Sequence, residues 1–396
     1  VIQPPGFRPA ADAASKGPGS ALWSIGFRPF YLLAGIFAAL SVALWAAQYS
    51  GWLPVPYLEA PLWHGHEMLF GYTLAVVAGF LLTAVRNWTA QPTASGGALM
   101  ALAALWVTGR VLVLTPWAVA AAVVNAAFPL ALALAIAVPL ARSGNRRNYF
   151  FVGLLSLLAL LAAALHLSIL GLPVPPRLPL ALGLDVMLFI MTVMGGRVIP
   201  MFTNNGVPGA GAARHPLVET LALGSVLALF AADIFQWPGL VAAIAAVAAA
   251  AHGARLALWR PWRTLGTPLV WILHAGYFWI VAHLALRALA AMGWVGESAA
   301  IHALTVGAIG GLTMGMMTRS ARGHTARPLV ADGYETACYL LVNAAALARV
   351  AGALTAPALY LASVQLSAAL WAAAFAIFAA RYWPILTRPR LDGRPG

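Results

Sequence analysis

One lysine and one cysteine are all this sequence holds of either residue. Lys16 lies in a polar N-terminal stretch, so a buried catalytic or Schiff-base lysine is excluded. Cys338 alone cannot form an intrachain disulfide, a CxxCH haem attachment or a cysteine-based metal cluster. Any metal would have to be held by histidine, methionine or oxygen ligands. Charge is scarce as well. Only 8% of the 396 residues are charged, against about 25% in a soluble domain, so the chain cannot cover a water-facing surface.

What fills the sequence is hydrocarbon: 62% hydrophobic residues and a mean hydropathy of +0.86. A chain this apolar must satisfy its backbone as membrane helices or as a closed barrel. The apolar runs are continuous, as in 31–47 and 151–165, and lack the alternation of barrel strands. Polar, proline and glycine breaks predict an all-α, polytopic membrane bundle of about 12 transmembrane helices. The segments lie near 29–47, 66–85, 97–114, 118–140, 149–170, 178–195, 216–234, 239–257, 267–292, 298–318, 333–354 and 358–383.

The net charge of +13 comes from short arginine clusters between these runs, a pattern that sets topology and does not imply nucleic-acid binding. One set of loops holds Arg86, Arg142 with Arg146 and Arg147, Arg214, Arg255 with Arg260 and Arg263, and Arg319 with Arg322 and Arg327. The opposite set offers Glu59, Asp233 and Glu297, with Arg177 and, near helix ends, Arg110, Arg287 and Arg349. This asymmetry predicts both termini in the cytoplasm and an even number of spans. Three regions follow: a polar cytoplasmic tail over 1–28 (not a secretory leader), one helical domain over 29–383, and a cytoplasmic tail over 384–396. The stretches from His66 and His302 share a glycine five residues on (Gly71, Gly307) and a proline further along (Pro92, Pro328). Duplication and coincidence both explain that match.

Polar side chains within a bilayer are costly unless paired or ligated, so each is a functional candidate. His64 and His66 open the second segment beside Glu67, and His302 opens the tenth on the same outer side, which places the three in one region. His64 and His66 differ by about 200° around a helix, so both cannot face one metal if both are helical. His274 and His283 fall on opposite faces, roughly 13 Å apart in depth, and are not partners in one site. His324 lies in an inner loop; His166, His215 and His252 sit near helix ends. Imidazole is the commonest protein ligand of haem iron and copper, and a hydrogen-bonded structural histidine is the competing reading for each. The aromatics around His274 and the Met187, Met191 and Met194 stripe suit a cofactor pocket or plain packing. Residues 195–205 read as a turn broken at Pro200, in which Arg197 could pair an anion such as a haem propionate. An ordinary arginine-anchored turn is the alternative.

The stretches WHGHEMLFGYTLAVVAGFLLTAVRNWT (63–89), MGGRVIPMFTNN (194–205), WILHAGYFW (271–279) and HALTVGAIGGLTMGMMTRSARGHTARPL (302–329) resemble the NnrS family. These are haem- and copper-containing bacterial membrane proteins of nitric oxide metabolism. The resemblance implies a multi-pass protein of the bacterial inner membrane that binds haem b, with copper as a second metal. It implies action on, or protection against, nitric oxide in denitrification or nitrosative stress. His64, His66, His274 and His302 are the implied metal ligands; His324, Arg197 and Arg319 join them as cofactor-binding candidates. Glu67 and Asp185 are candidate proton relays, and membrane quinol is the implied electron donor. Reduction of NO to N2O, non-catalytic sensing or scavenging of NO, and secondary transport are the functions to separate. The last rests on the span count and internal termini.

Overall fold

The computed structural model describes residues 21–49, 51–53, 57–355 and 357–394. Most of the 1–28 tail therefore lies outside the described residues. Those described form twelve long helices and no strand. They are α1 (Phe27–Tyr49), α2 (Ala60–Thr89), α3 (Gly96–Leu112), α4 (Ala118–Arg142), α5 (Phe150–Ile169) and α6 (Arg177–Gly206). The second six are α7 (Pro216–Phe235), α8 (Pro238–Leu258), α9 (Pro268–Ala291), α10 (Glu297–His324), α11 (Gly333–Leu354) and α12 (Pro357–Thr387). Eleven are long and apolar enough to cross a membrane. The exception, α3, has 17 residues and spans about 25 Å, somewhat less than a typical hydrocarbon core.

Successive helices pack antiparallel, and α12 closes the bundle against α1, where the Trp371 indole donates to the Ala38 carbonyl (3.1 Å). Arg28, at the start of α1, donates to the carbonyls of Leu386 and Arg388 (2.9 and 2.7 Å). The first and last helices thus begin and end on one side, the arginine-rich end. The most buried spans are α2 and α10, 78% and 67% over their apolar windows, which makes them the inner pair of the bundle.

Proline is where sequence and structure part. The expected turn over 195–205 does not exist: α6 runs unbroken through Pro200 to Gly206. Likewise α4 continues through Pro129 and Pro139, and α12 through Pro384. A proline forfeits one hydrogen bond, but in hydrocarbon every alternative to helix forfeits more, so the helix persists.

The match between the stretches at His66 and His302 extends to the backbone. Each histidine is followed at once by a seven-residue π-helical segment, Glu67–Thr73 in α2 and Ala303–Ile309 in α10. Gly71 and Gly307 occupy the same position in each, under an indole. Trp106 donates to the Gly71 carbonyl (3.0 Å), and the Trp279 ring would overlap any Cβ at position 307. Single π-turns within α-helices often mark functional sites. In α2 the wide turn frees the Met68 carbonyl, which accepts from Thr73 Oγ1 (2.7 Å).

Candidate functional site

A cavity of about 1100 Å³ opens between these two helices at the end opposite the arginines. It is lined chiefly by the halves of α1, α2, α6, α9, α10 and α12 away from the arginine clusters, with smaller contributions from α7, α8 and α11. His64, His283 and His302 line it, together with Asp185, Arg287 and Arg349. Its volume is at the upper edge of ordinary ligand pockets, about 300–1,000 Å³.

The hydrogen bonds of these histidines define which ring nitrogens are committed. His302 Nδ1 lies 2.7 Å from the Ser298 carbonyl, one helical turn earlier, and His283 Nδ1 lies 2.8 Å from the Ala300 carbonyl. A carbonyl only accepts, so in both rings Nδ1 carries the proton and Nε2 keeps a bare lone pair. His283 Nε2 is buried without a hydrogen-bond partner among the described residues. His64 packs its ring at 4.7 Å from Trp45, and its Nδ1 is buried and unpartnered in the same sense. Metal-binding imidazoles are oriented in this way, one nitrogen donating to a carbonyl and the other left open.

Charge around the cavity is partly balanced. Arg287 Nη1 donates to Asp185 Oδ1 (2.7 Å), and its Nη2 pairs with Asp233. Asp185 Oδ2 is buried without a partner among the described residues. Arg349 donates through Nη2 to Ser298 Oγ and the Tyr360 hydroxyl (both 2.9 Å). Its Nη1 is buried and unpartnered among the described residues, and no carboxylate pairs with it there. A guanidinium without a carboxylate partner, in the wall that also holds His64 and His302, is complementary to an anionic ligand.

His66 faces away from this cavity. Its Nδ1 meets Glu67 Oε1 (2.7 Å), and its Nε2 lies 3.1 Å from His166 Nε2. His166 Nδ1 contacts the Tyr57 hydroxyl (2.7 Å), and Arg110 Nη1 donates to Glu67 Oε1 (2.6 Å) and through Nη2 to Asn125. Burial in the loop before α2 pushes the Tyr57 phenol up to about 12. Glu67 is fully buried and is not part of the cavity wall.

The remaining candidates lie in the arginine-rich half. His274 Nε2 contacts Thr203 Oγ1 (2.8 Å), far from His283 on the same helix. His324 ends α10 against the Phe27 ring, and Arg319 stacks over Phe202 at 3.9 Å. Arg197 donates to Asn148 Oδ1 (2.8 Å). None of these four lines the large cavity. Among the described residues, no cluster of three or more His, Cys, Asp or Glu side chains could hold a metal ion by itself.

Sequence reasoning did not single out His166, His283, Arg287 or Arg349 as site residues. For the arginines a signal existed, a guanidinium within an apolar run, but each was taken as a helix-end charge. The partner that gives each its meaning lies on another helix.

The NnrS protein family profile matches residues 21–390, nearly the whole chain. The chain belongs to the NnrS family. NnrS proteins are membrane proteins associated with nitric oxide metabolism. No curated protein matches the chain. The two π-turn helices, α2 and α10, carry two of the four stretches that resemble NnrS, and both lie within the matched region.

Proposed function

We propose that this NnrS chain holds haem b in the cavity between α2 and α10 and acts there on nitric oxide, in the bacterial inner membrane. The observation that carries the proposal is the pair His283 and His302, both lining one cavity, each with Nδ1 committed to a carbonyl and Nε2 without a protein partner among the described residues. His64 adds a third imidazole, which suits a second metal such as copper. Arg349, with its free Nη1, would meet a propionate. Bound haem supplies an iron that takes up NO and passes electrons to it.

Turnover requires 2 NO + 2 H⁺ + 2 e⁻ → N2O + H2O, with electrons from membrane quinol. The residues' own part is to keep water out and bring protons in. The cavity walls are largely apolar, with Leu69, Leu180, Leu304 and Trp371 among them. Asp185 lines the cavity with one oxygen held by Arg287, and Oδ2 is the atom at which it would carry a proton. Glu67 is the second candidate relay; it is hydrogen-bonded to His66 and Arg110, and none of the three lines the cavity.

One observation favours binding without turnover: each of these carboxylates is already engaged by a guanidinium, Arg287 or Arg110. The two readings separate in one experiment. Detergent-purified protein is assayed for metals, its oxidised and reduced spectra are taken, and it is given NO with a quinol. Soret and α bands with steady N2O output support reduction. The same bands with reversible NO binding and no N2O support a sensor or scavenger. A featureless visible spectrum, from a preparation shown to retain its cofactors, would sink the haem proposal and favour transport.

A further inference from the structure

A second, smaller cavity of about 330 Å³ lies at the arginine-rich end, lined by Trp88, Asn145, Arg147, Asn148, Arg197 and Arg214. Three guanidiniums and no carboxylate face it. The nearest acid, Glu219, accepts from Arg214 (3.0 Å) but is shared with the buried Arg255 (2.5 Å). Arg147 and Arg197 have no ion pair among the described residues.

The wall beneath these charges is ordered. Asn145 Nδ2 donates to the Trp88 carbonyl (3.1 Å), and Asn148 Nδ2 donates to Asn145 Oδ1 (3.0 Å). Arg197 Nη1 then donates to Asn148 Oδ1 (2.8 Å), and its guanidinium lies over the Phe150 ring at 5.5 Å. Arg197 is thereby aimed into the cavity while one edge stays free to bond. Asn148 is buried; Arg147 and Arg214 are exposed at the rim.

Two arginines without a counter-ion among the described residues, beside a third that shares its carboxylate with Arg255, repel, and an anion with several acceptor oxygens relieves this. A phosphoryl group suits the planar, two-pronged donors of arginine. Basic pockets between helices at the arginine-rich face of membrane proteins commonly receive lipid headgroups. We propose that this pocket binds a phosphoryl group, carried by an anionic phospholipid headgroup or by free phosphate. The proposal goes beyond the haem reading and does not depend on it.

The test is native mass spectrometry of the full-length protein in detergent, with added phosphatidylglycerol or phosphatidylcholine and with inorganic phosphate as competitor. Wild type is expected to retain phosphatidylglycerol over phosphatidylcholine. Arg147→Gln is expected to weaken that retention about tenfold, the worth of one charge-assisted contact. Arg147 holds up nothing in the fold, so this variant should fold normally; Arg197→Gln should give the same loss if it also folds. Arg142→Gln, at the same end but outside the pocket, should change retention less than about twofold, since an exposed charge adds little. Retention unaffected by phosphate identifies the lipid headgroup, and saturable competition identifies a site that also takes free phosphate; both support the phosphoryl assignment. Equal retention in wild type and Arg147→Gln, or an equal loss in Arg142→Gln, would overturn it.

Discussion

At the scale of single residues, the buried histidines differ in which ring nitrogens are committed. His252 is held at both: Nε2 donates to the Ala222 carbonyl (3.1 Å), and Nδ1 meets the Tyr277 hydroxyl (2.8 Å), itself bonded by Arg255. His283 and His302 are held at Nδ1 only. Replacing either His283 or His302 by alanine is therefore expected to lower haem content severely, whereas His274→Ala, outside the cavity, should leave it near wild type. Haem per protein by pyridine haemochrome assay checks this, and full haem in both cavity variants would remove them as ligands. Glu67 makes a different case. It is the charge partner of buried Arg110, so Glu67→Ala should destabilise the protein by about 3–5 kcal/mol, as expected when one member of a buried pair is removed. Replacing both by apolar residues of similar volume should cost less, and thermal denaturation in detergent measures the difference.

At the scale of elements, α9 and α10 meet through glycine. A Cβ on Gly276 would lie 2.8 Å from the Leu312 backbone nitrogen, and one on Gly311 would lie 3.1 Å from the Gly276 Cα. Backbone cannot yield as a side-chain tip does, so Gly276→Ala should cost about 1–3 kcal/mol. Gly65→Ala should be nearly neutral, because only the Leu180 Cδ1 tip stands near, at 3.2 Å. Comparable melting of the two variants would refute the close-contact argument. The start of α11 offers a pH-dependent test. Asp332 caps it, accepting from the amides of Tyr334 and Glu335. Partial burial alone would raise its pKa, but the Arg381 guanidinium and those amides outweigh it and hold the carboxyl below the usual carboxylate range. Its contribution is then complete above the ordinary carboxylate pKa and is lost as pH falls through the depressed value. Asp332→Asn, which keeps a capping oxygen but loses the charge paired with Arg381, should therefore lower stability near neutral pH by about 0.3–1 kcal/mol. The gap from wild type should close on acidification; a gap independent of pH would exclude the charged cap. Helix number and order were legible in the sequence because apolar length is a local property. The unbroken passage through Pro200 was not, since it depends on the cost of every alternative in hydrocarbon. Nor were the pairs His66–His166 and Asp185–Arg287, which join residues far apart in sequence.

At the scale of the whole molecule, the arginine clusters and the histidine cavity occupy opposite ends. The arginines of the 142–147, 255–263 and 319–327 regions gather at one end with the described part of the C-terminal tail, and the histidine cavity lies in the other halves of the helices. Arg390 there donates to the His324 carbonyl (2.9 Å), tying the tail to the end of α10. If the arginine-rich end faces the cytoplasm, as its charge bias requires, the cavity lies toward the outer face, within reach of NO entering through the lipid. Site-directed labelling tests that orientation directly. Cys338 is buried, at 2% exposure, so a Cys338→Ser background removes the one native thiol without opening the surface. In that background Trp52→Cys, at a position 84% exposed between α1 and α2, should react with a membrane-impermeant maleimide in intact cells. Ser143→Cys, exposed in the turn after α4, should react only once the membrane is opened. The reverse pattern would invert the molecule and place the histidine cavity toward the cytoplasm, and the proposed reaction would then draw its protons and electrons from the other side.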